Sequence, residues 1–155
     1  MKKILAVLLS LFAAIQVSWA ADEAIGYVKT VSGEAYVVTA GNKQQASLGT
    51  AIYQGSMLQT GPKSSLGVTF KDDTVMSFGP NTQITVDEYM YAPAQGKVKL
   101  GSKLLKGTLN YISGSIAKLK PEAVTVATPT GTIGVRGTHF VVTVDESTAA
   151  TSTSN

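Results

Sequence analysis

The chain has 155 residues, of which 13 are basic, 10 are acidic and none is cysteine, so its formal net charge is +3. A domain of this length can bury a substantial core, and without cysteine that core must stabilise the fold in place of disulfides. A charge this small argues against nucleic acid or anionic lipid as a partner, since both require clustered basic residues.

The first twenty residues have the organisation of a secretory signal peptide. Lys2 and Lys3 are followed by an almost wholly apolar run over residues 4–17 and then by Ser18 and Ala20, small residues at the two positions that a signal peptidase reads. We expect cleavage between Ala20 and Ala21. The apolar run is shorter than the roughly 20 residues that span a bilayer, so we expect no stable membrane anchor after cleavage. Loss of the two signal lysines leaves 11 basic against 10 acidic residues, which makes the exported protein nearly neutral.

Residues 25–144 are predicted to form one all-β domain. Apolar residues recur there at every second position in short runs, which is the period of a half-buried strand. Turn sequences separate the runs at intervals typical of a sandwich or β-roll. Several runs begin just after a glycine, which leaves a solenoid-like stack as an alternative. The predicted inward-facing residues are Val28, Val31, Ala35, Val37, Leu66, Val68, Phe70, Thr74, Met76, Phe78, Ile84, Val86, Val98, Leu100, Leu105, Leu109, Tyr111, Val124, Val126, Phe140, Val142 and Val144.

Turn residues mark the ends of these runs. Residues 71–74 predict a tight hairpin, in which Asp73 occupies a place where glycine would adopt a positive φ more easily. The acidic pair Asp72 and Asp73 is expected to be solvated in this turn. All five prolines fall between runs, where their missing N–H breaks no ladder. Residues 145–155 are rich in Ser, Thr and Ala and are predicted to be a disordered tail.

A search for catalytic and metal-binding groups finds little. His139 is the only histidine, whereas a zinc site needs three or four ligands. No G-x-S-x-G sequence offers a serine nucleophile. Ser115 and Lys118 match S-x-x-K, but they are predicted to lie in a strand-like run, whereas that motif requires a helical turn. The glycines of residues 131–137 fit strand corners better than a phosphate loop. We therefore expect no enzyme activity, no cofactor and no metal, with a hydrolase built on Ser115, Lys118 or His139 as the rival hypothesis.

Two segments are candidates for contact. Arg136 is the only arginine, and Arg136, Gly137 and Thr138 are predicted to form a closing turn, with an anion or partner contact as the alternative. Tyr89, Met90 and Tyr91 could form an aromatic patch that touches a partner, or could be the core and rim of one strand.

Four segments together resemble the FecR domain family. They are GYVKTVSGEAYV at residues 26–37, GSMLQT at 55–60, FKDDTVMSFGPNT at 70–82 and TPTGTIGVRGTHFVV at 128–142. The chain is similar to the extracytoplasmic FecR domain of iron-dicitrate-type sensors and of many secreted bacterial proteins, over about residues 25–144. Asp73 departs from the family's usual Asp-Gly turn.

The resemblance implies an all-β, non-enzymatic domain located in the periplasm of a Gram-negative bacterium or secreted. In the sensors this domain receives a signal by touching an outer-membrane transporter. The sensors carry a cytoplasmic segment and a membrane helix where this chain has a signal peptide, so transmembrane signalling is not expected to carry over.

We therefore expect a binding or scaffolding protein whose partner is another envelope protein. Alternatives are a module that binds a glycan or small anion, and a signal-reception component of a sensory system.

Overall fold

The computed structural model describes residues 22–137 and 139–145. The predicted cleavage site at Ala20 and Ala21, Thr138 of the predicted closing turn, and the predicted tail from residue 146 onward lie outside the described residues. No helix in the described part of the chain has both the length and the apolar character needed to cross a bilayer.

Strands make up most of the described chain, in agreement with the predicted all-β class. One short helix, α1 (Ser115–Leu119), and two 3₁₀ turns, Pro93–Gln95 and Pro121–Ala123, interrupt them. The prolines all lie between strands, as expected. In chain order the strands are β1 (Gly26–Ser32), β2 (Ala35–Thr39), β3 (Asn42–Gln45), β4 (Ala51–Ile52), β5 (Met57–Thr60), β6 (Ser65–Phe70), β7 (Val75–Phe78), β8 (Gln83–Ala92), β9 (Lys97–Ile112), β10 (Val124–Thr128), β11 (Gly131–Gly134) and β12 (His139–Val144).

The strands form one curled sheet with β9 at its centre. The first part of β9 pairs with β8 on one side and with β10 on the other, and its second part pairs with β7 and β12. The sheet continues from β8 through β5 and β2 to β3, and from β7 through β6 and β1 to β4. All of these pairs are antiparallel except β9 with β10, so the fold is a roll rather than a stack of parallel repeats.

A glycine lies where β9 passes from one half of the sheet to the other. Gly107 has a φ of +91°, and a Cβ there would lie 2.2 Å from Oγ1 of Thr82. A side chain at this position would therefore meet both backbone strain and a steric clash. The bend that lets one strand serve both halves depends on the missing side chain.

The pattern of burial on β9 changes at the bend. The buried leucines before it are even-numbered, Leu100 and Leu104, whereas Leu109 and Tyr111 after it are odd-numbered. Leu105, which the sequence predicted to face inward, is only half-buried, because a bulge opposite Gln83 and Ile84 leaves it unpaired and shifts the alternation by one residue. The inward residues of both halves form one continuous core.

Helix α1 corrects the expectation that residues 114–118 extend as a strand. Gly114 packs so closely on the β6–β7 hairpin that a Cβ would lie 2.2 Å from the backbone nitrogen of Thr74. The chain turns there, and Ile116 and Ala117 are buried on one side of the helix. The helix belongs to the crossover that returns the chain to pair β10 parallel to β9, a connection that a tight turn cannot make.

Candidate functional site

The Tyr89–Tyr91 segment lies near the end of β8, where the β8–β9 ribbon turns back. A bulge between Val86 and Glu88 shifts the register before this segment. Beyond the bulge, alternation along the strand puts Tyr89 and Tyr91 on one face and Met90 on the other. Met90 is 48% exposed and Tyr91 36% exposed, whereas Tyr89 is half-buried. Only Met90 and Tyr91 are therefore open to a partner.

Tyr89 is held in place by the β6–β7 hairpin. Its hydroxyl accepts a hydrogen bond from the backbone N–H of Asp72 at 3.0 Å and donates one to Oδ1 of Asp72 at 3.1 Å. Its ring stacks on Phe70, with centroids 5.6 Å apart. Burial, and then the nearby Asp72 carboxylate, raise the pKa of the Tyr89 phenol well above its ordinary value. These contacts give Tyr89 a structural role and leave its hydroxyl occupied.

Asp72 is fully buried, which corrects the expectation of a solvated acidic pair. Its Oδ2 accepts hydrogen bonds from Oγ1 of Thr74 at 2.7 Å and from the backbone N–H of Ile116 at 3.2 Å, and its carbonyl accepts one from the N–H of Ser115 at 2.6 Å. The hairpin, α1 and β8 therefore meet at one side chain. The sequence pattern does indicate that Asp72 is buried, because Asp72 continues the alternation of the buried residues Thr74 and Met76.

A polar groove lies beside Tyr91. It has a volume of about 520 Å³ and is lined by residues 22–25, Gln54, Lys71, Tyr89 and Tyr91. Lys71 forms an ion pair across it with Glu23, and this contact lowers the pKa of the Glu23 carboxyl. The strands bring together residues that are far apart in sequence, so residue patterns alone did not predict the groove.

Arg136 is exposed at a second, shallower groove. The groove has a volume of about 430 Å³ and is lined by Pro121, Glu122, Gly134, Val135 and Arg136. The neighbouring Gly137 carbonyl accepts a hydrogen bond from Oγ of Ser113 at 2.7 Å. Within the described chain, the Arg136 guanidinium makes no hydrogen bond or ion pair. The Arg136 side chain is therefore accessible, and its role in contact stays a prediction.

Strand β12 forms an edge of the sheet. It pairs with β9 along one side only, among the residues that the structure describes. Phe140, Val142 and Val144 pack against the core but stay half-buried, and Val141 on the opposite face is 59% exposed. Tyr111 stacks on Phe140 with centroids 4.8 Å apart, so the strand is firmly attached to the core. The six residues of β12 leave backbone groups and apolar side chains available along its outer edge.

The candidate catalytic residues lie on two elements, with Ser115 and Lys118 on α1 and His139 on β12. Ser115 and Lys118 lie on a helical turn and not in the predicted strand-like run, so they have the geometry that S-x-x-K requires. The S-D-N and K-T-G motifs that accompany S-x-x-K do not occur in the sequence. His139 is exposed on β12, with Nε2 2.6 Å from Oδ1 of Asn110. Within residues 22–137 and 139–145, no three His, Cys, Asp or Glu side chains lie together as metal ligands would.

Comparison with known proteins identifies one family. A family model described as FecR protein matches residues 56–154, which include β5 to β12. No curated protein and no solved structure matches the chain. The match includes both the hairpin around Asp72 and the edge strand β12.

Proposed function

The chain belongs to the FecR protein family, and we propose that it acts outside the cytoplasm as a non-catalytic module that binds another protein of the cell envelope. The signal-peptide pattern of the first twenty residues supports export, and the nearly neutral remainder gives no electrostatic reason for binding nucleic acid or lipid. Ser115 and Lys118 lack the companion motifs of an S-x-x-K enzyme, and His139 contacts Asn110, so the described residues give no support to the rival hydrolase.

Among the residues that the structure describes, the outer edge of β12 has no partner strand, and this observation carries the proposal. Exposed edges invite pairing with another chain, and proteins commonly protect them with charges, proline or very short strands. β12 has six residues, HFVVTV, without lysine, acid or proline. An extended segment of a partner could hydrogen-bond along this edge, as in binding by strand addition.

The other edge strands are less suitable for such pairing. β3 has four exposed residues that include Lys43, and β4 has only two residues. β11 has four residues and begins and ends with glycine. In the described chain, β12 is therefore the longest apolar edge, which is why we place the partner there.

Side-chain burial gives the partner strand a source of affinity beyond backbone hydrogen bonds. Phe140, Val142 and Val144 keep part of their surface exposed although they pack on the core. A strand laid beside β12 would cover that surface, and each fully buried aliphatic side chain contributes roughly 1.5–3 kcal/mol. We expect the partner segment to alternate apolar and polar residues to match this face.

Site-specific crosslinking in living cells tests the proposal. A photo-crosslinking amino acid replaces Thr143, an exposed residue of β12, and crosslinked products from the envelope are identified by mass spectrometry. We expect one reproducible envelope protein, with the crosslink in an extended segment. Introducing Val141→Lys should abolish the product, since a lysine on an edge strand opposes strand pairing.

A matched variant distinguishes strand pairing at β12 from nonspecific hydrophobic binding. Leu48 is 72% exposed in the loop before β4, so Leu48→Lys adds the same charge and removes a similar apolar surface elsewhere. The crosslink should persist in Leu48→Lys. Equal yields from Val141→Lys and the unmodified protein would exclude β12 as the binding edge.

A further inference from the structure

The polar groove beside Tyr91 has the size of a ligand site. Its volume of about 520 Å³ lies in the range of small-molecule sites. Tyr89 and Tyr91 of β8 line one side, and the segment of residues 22–25 that leads into β1 lines another. No residue of β12 lines it, so the groove is separate from the edge to which we assign protein binding.

The aromatic wall has one fixed ring and one accessible ring. Tyr89 is held by its hydrogen bonds to Asp72 and its stacking on Phe70. Tyr91 follows two residues later and is 36% exposed. An aromatic surface beside a polar groove is suited to a ligand that has an apolar face and polar edges.

The polar wall offers both hydrogen-bond donors and acceptors but little net charge. Lys71 and Glu23 neutralise each other in an ion pair, and Asp22 and the Gln54 amide complete the lining. With that pair neutralised, Asp22 leaves one exposed negative charge, which opposes an anionic ligand. Hydroxyl groups donate and accept, so a neutral polyhydroxylated ligand matches this wall best.

We propose that this groove binds a neutral oligosaccharide. The Tyr91 ring stacks on the apolar face of one sugar, while Gln54, Asp22 and the Lys71–Glu23 pair bind its hydroxyl groups. This site is independent of the protein-binding edge.

Titration with defined sugars tests the site. Chitotriose, cellotriose and maltotriose are titrated into the exported protein. Binding is measured by calorimetry and by changes in amide chemical shifts. At least one should give saturable binding, with shift changes at Gln54, Lys71 and Tyr91. Tyr91→Ala should weaken binding by about tenfold or more, since it removes an aromatic contact surface, whereas Tyr91→Phe should retain most of the affinity.

Tyr27 provides a matched control. It is 40% exposed on β1 and does not line the groove, so Tyr27→Ala should leave sugar binding unchanged. Absence of binding by all three sugars, or equal losses in Tyr27→Ala and Tyr91→Ala, would overturn the proposal. Preferential binding of tetramethylammonium or of a lysine-rich peptide would also overturn it and would assign the groove to cations.

Two variants test protein binding at β12 and sugar binding in the groove independently of each other. Val141→Lys should abolish the protein crosslink and leave sugar binding intact, and Tyr91→Ala should do the reverse. Melting temperatures of both variants near that of the unmodified protein would show that neither effect comes from unfolding.

Discussion

Two adjacent aspartates in the β6–β7 hairpin differ in burial and in their contacts with the rest of the fold. Asp72 is fully buried and accepts hydrogen bonds from Tyr89, Thr74 and the backbone of α1. Asp73 is exposed and has a φ of +66°, as expected for the turn. The sequence predicted the conformation of Asp73 from turn chemistry, but the contacts of Asp72 depend on segments more than fifteen residues away.

Replacing Asp72 should destabilise the protein strongly. Asp72→Ala leaves the Tyr89 hydroxyl and the Ile116 N–H without their buried acceptor, so we expect a loss of about 3 kcal/mol in the free energy of unfolding. Chemical denaturation measures the loss. Asp73→Gly is the control: glycine adopts the positive φ without strain, so its stability should stay within about 1 kcal/mol of the original. Similar losses in both variants would refute the structural role of Asp72.

The raised pKa of Tyr89 predicts a loss of stability at alkaline pH. In the unfolded chain the phenol ionises near pH 10, whereas the folded protein keeps it protonated to higher pH. The unfolded state then binds fewer protons, so the free energy of unfolding is unaffected below about pH 10 and decreases above it. Tyr89→Phe should make this decrease less steep in denaturation curves measured from pH 8 to 11. An unchanged slope would contradict the prediction.

At the scale of elements, the two-residue period of the sequence predicted the longer strands, because a half-buried strand must alternate. It did not predict the short strands β3, β4, β5 and β11; β3 is exposed at all four positions and β4 has only two residues. The pattern failed at α1, since five residues are too few to show a helical period and their conformation depends on contacts with the hairpin at Asp72. The Tyr89–Tyr91 segment was identified as a strand with a possible contact face. Its groove was not, because residues 22–25 and Gln54 reach it only through tertiary structure.

Two glycine substitutions test whether the bend in β9 requires a residue without a side chain. Gly107→Ala places a methyl group 2.2 Å from Oγ1 of Thr82 at a φ of +91°, so we expect a loss of about 3 kcal/mol. Gly96 also has a positive φ, +65°, but open space surrounds it, and Gly96→Ala should cost only about 1 kcal/mol. Thermal and chemical denaturation of the pair provide the measurement. Equal costs would mean that strain alone, and not the contact with Thr82, explains the glycine at the bend.

At the scale of the molecule, β9 makes the described chain one unit. β7, β8, β10 and β12 all pair with it, and the buried side chains of both halves form one core. We expect a single unfolding transition, in which the far-UV signal of the strands and the near-UV signal of the tyrosines coincide. Two separated transitions in guanidinium would show that the halves unfold independently.

The central position of β9 also has a consequence for biosynthesis. A ribosome releases β1 to β8 before the strand that joins the two halves, and β10 and β12 follow it. The emerging chain can form local hairpins early, but the half that contains β8 needs β9 up to Lys106, and the half that contains β7 needs β9 up to Ile112. Long-range pairing of this kind is slow. A nascent chain that closes late stays unfolded for longer, and an unfolded chain is what the export that we propose would require.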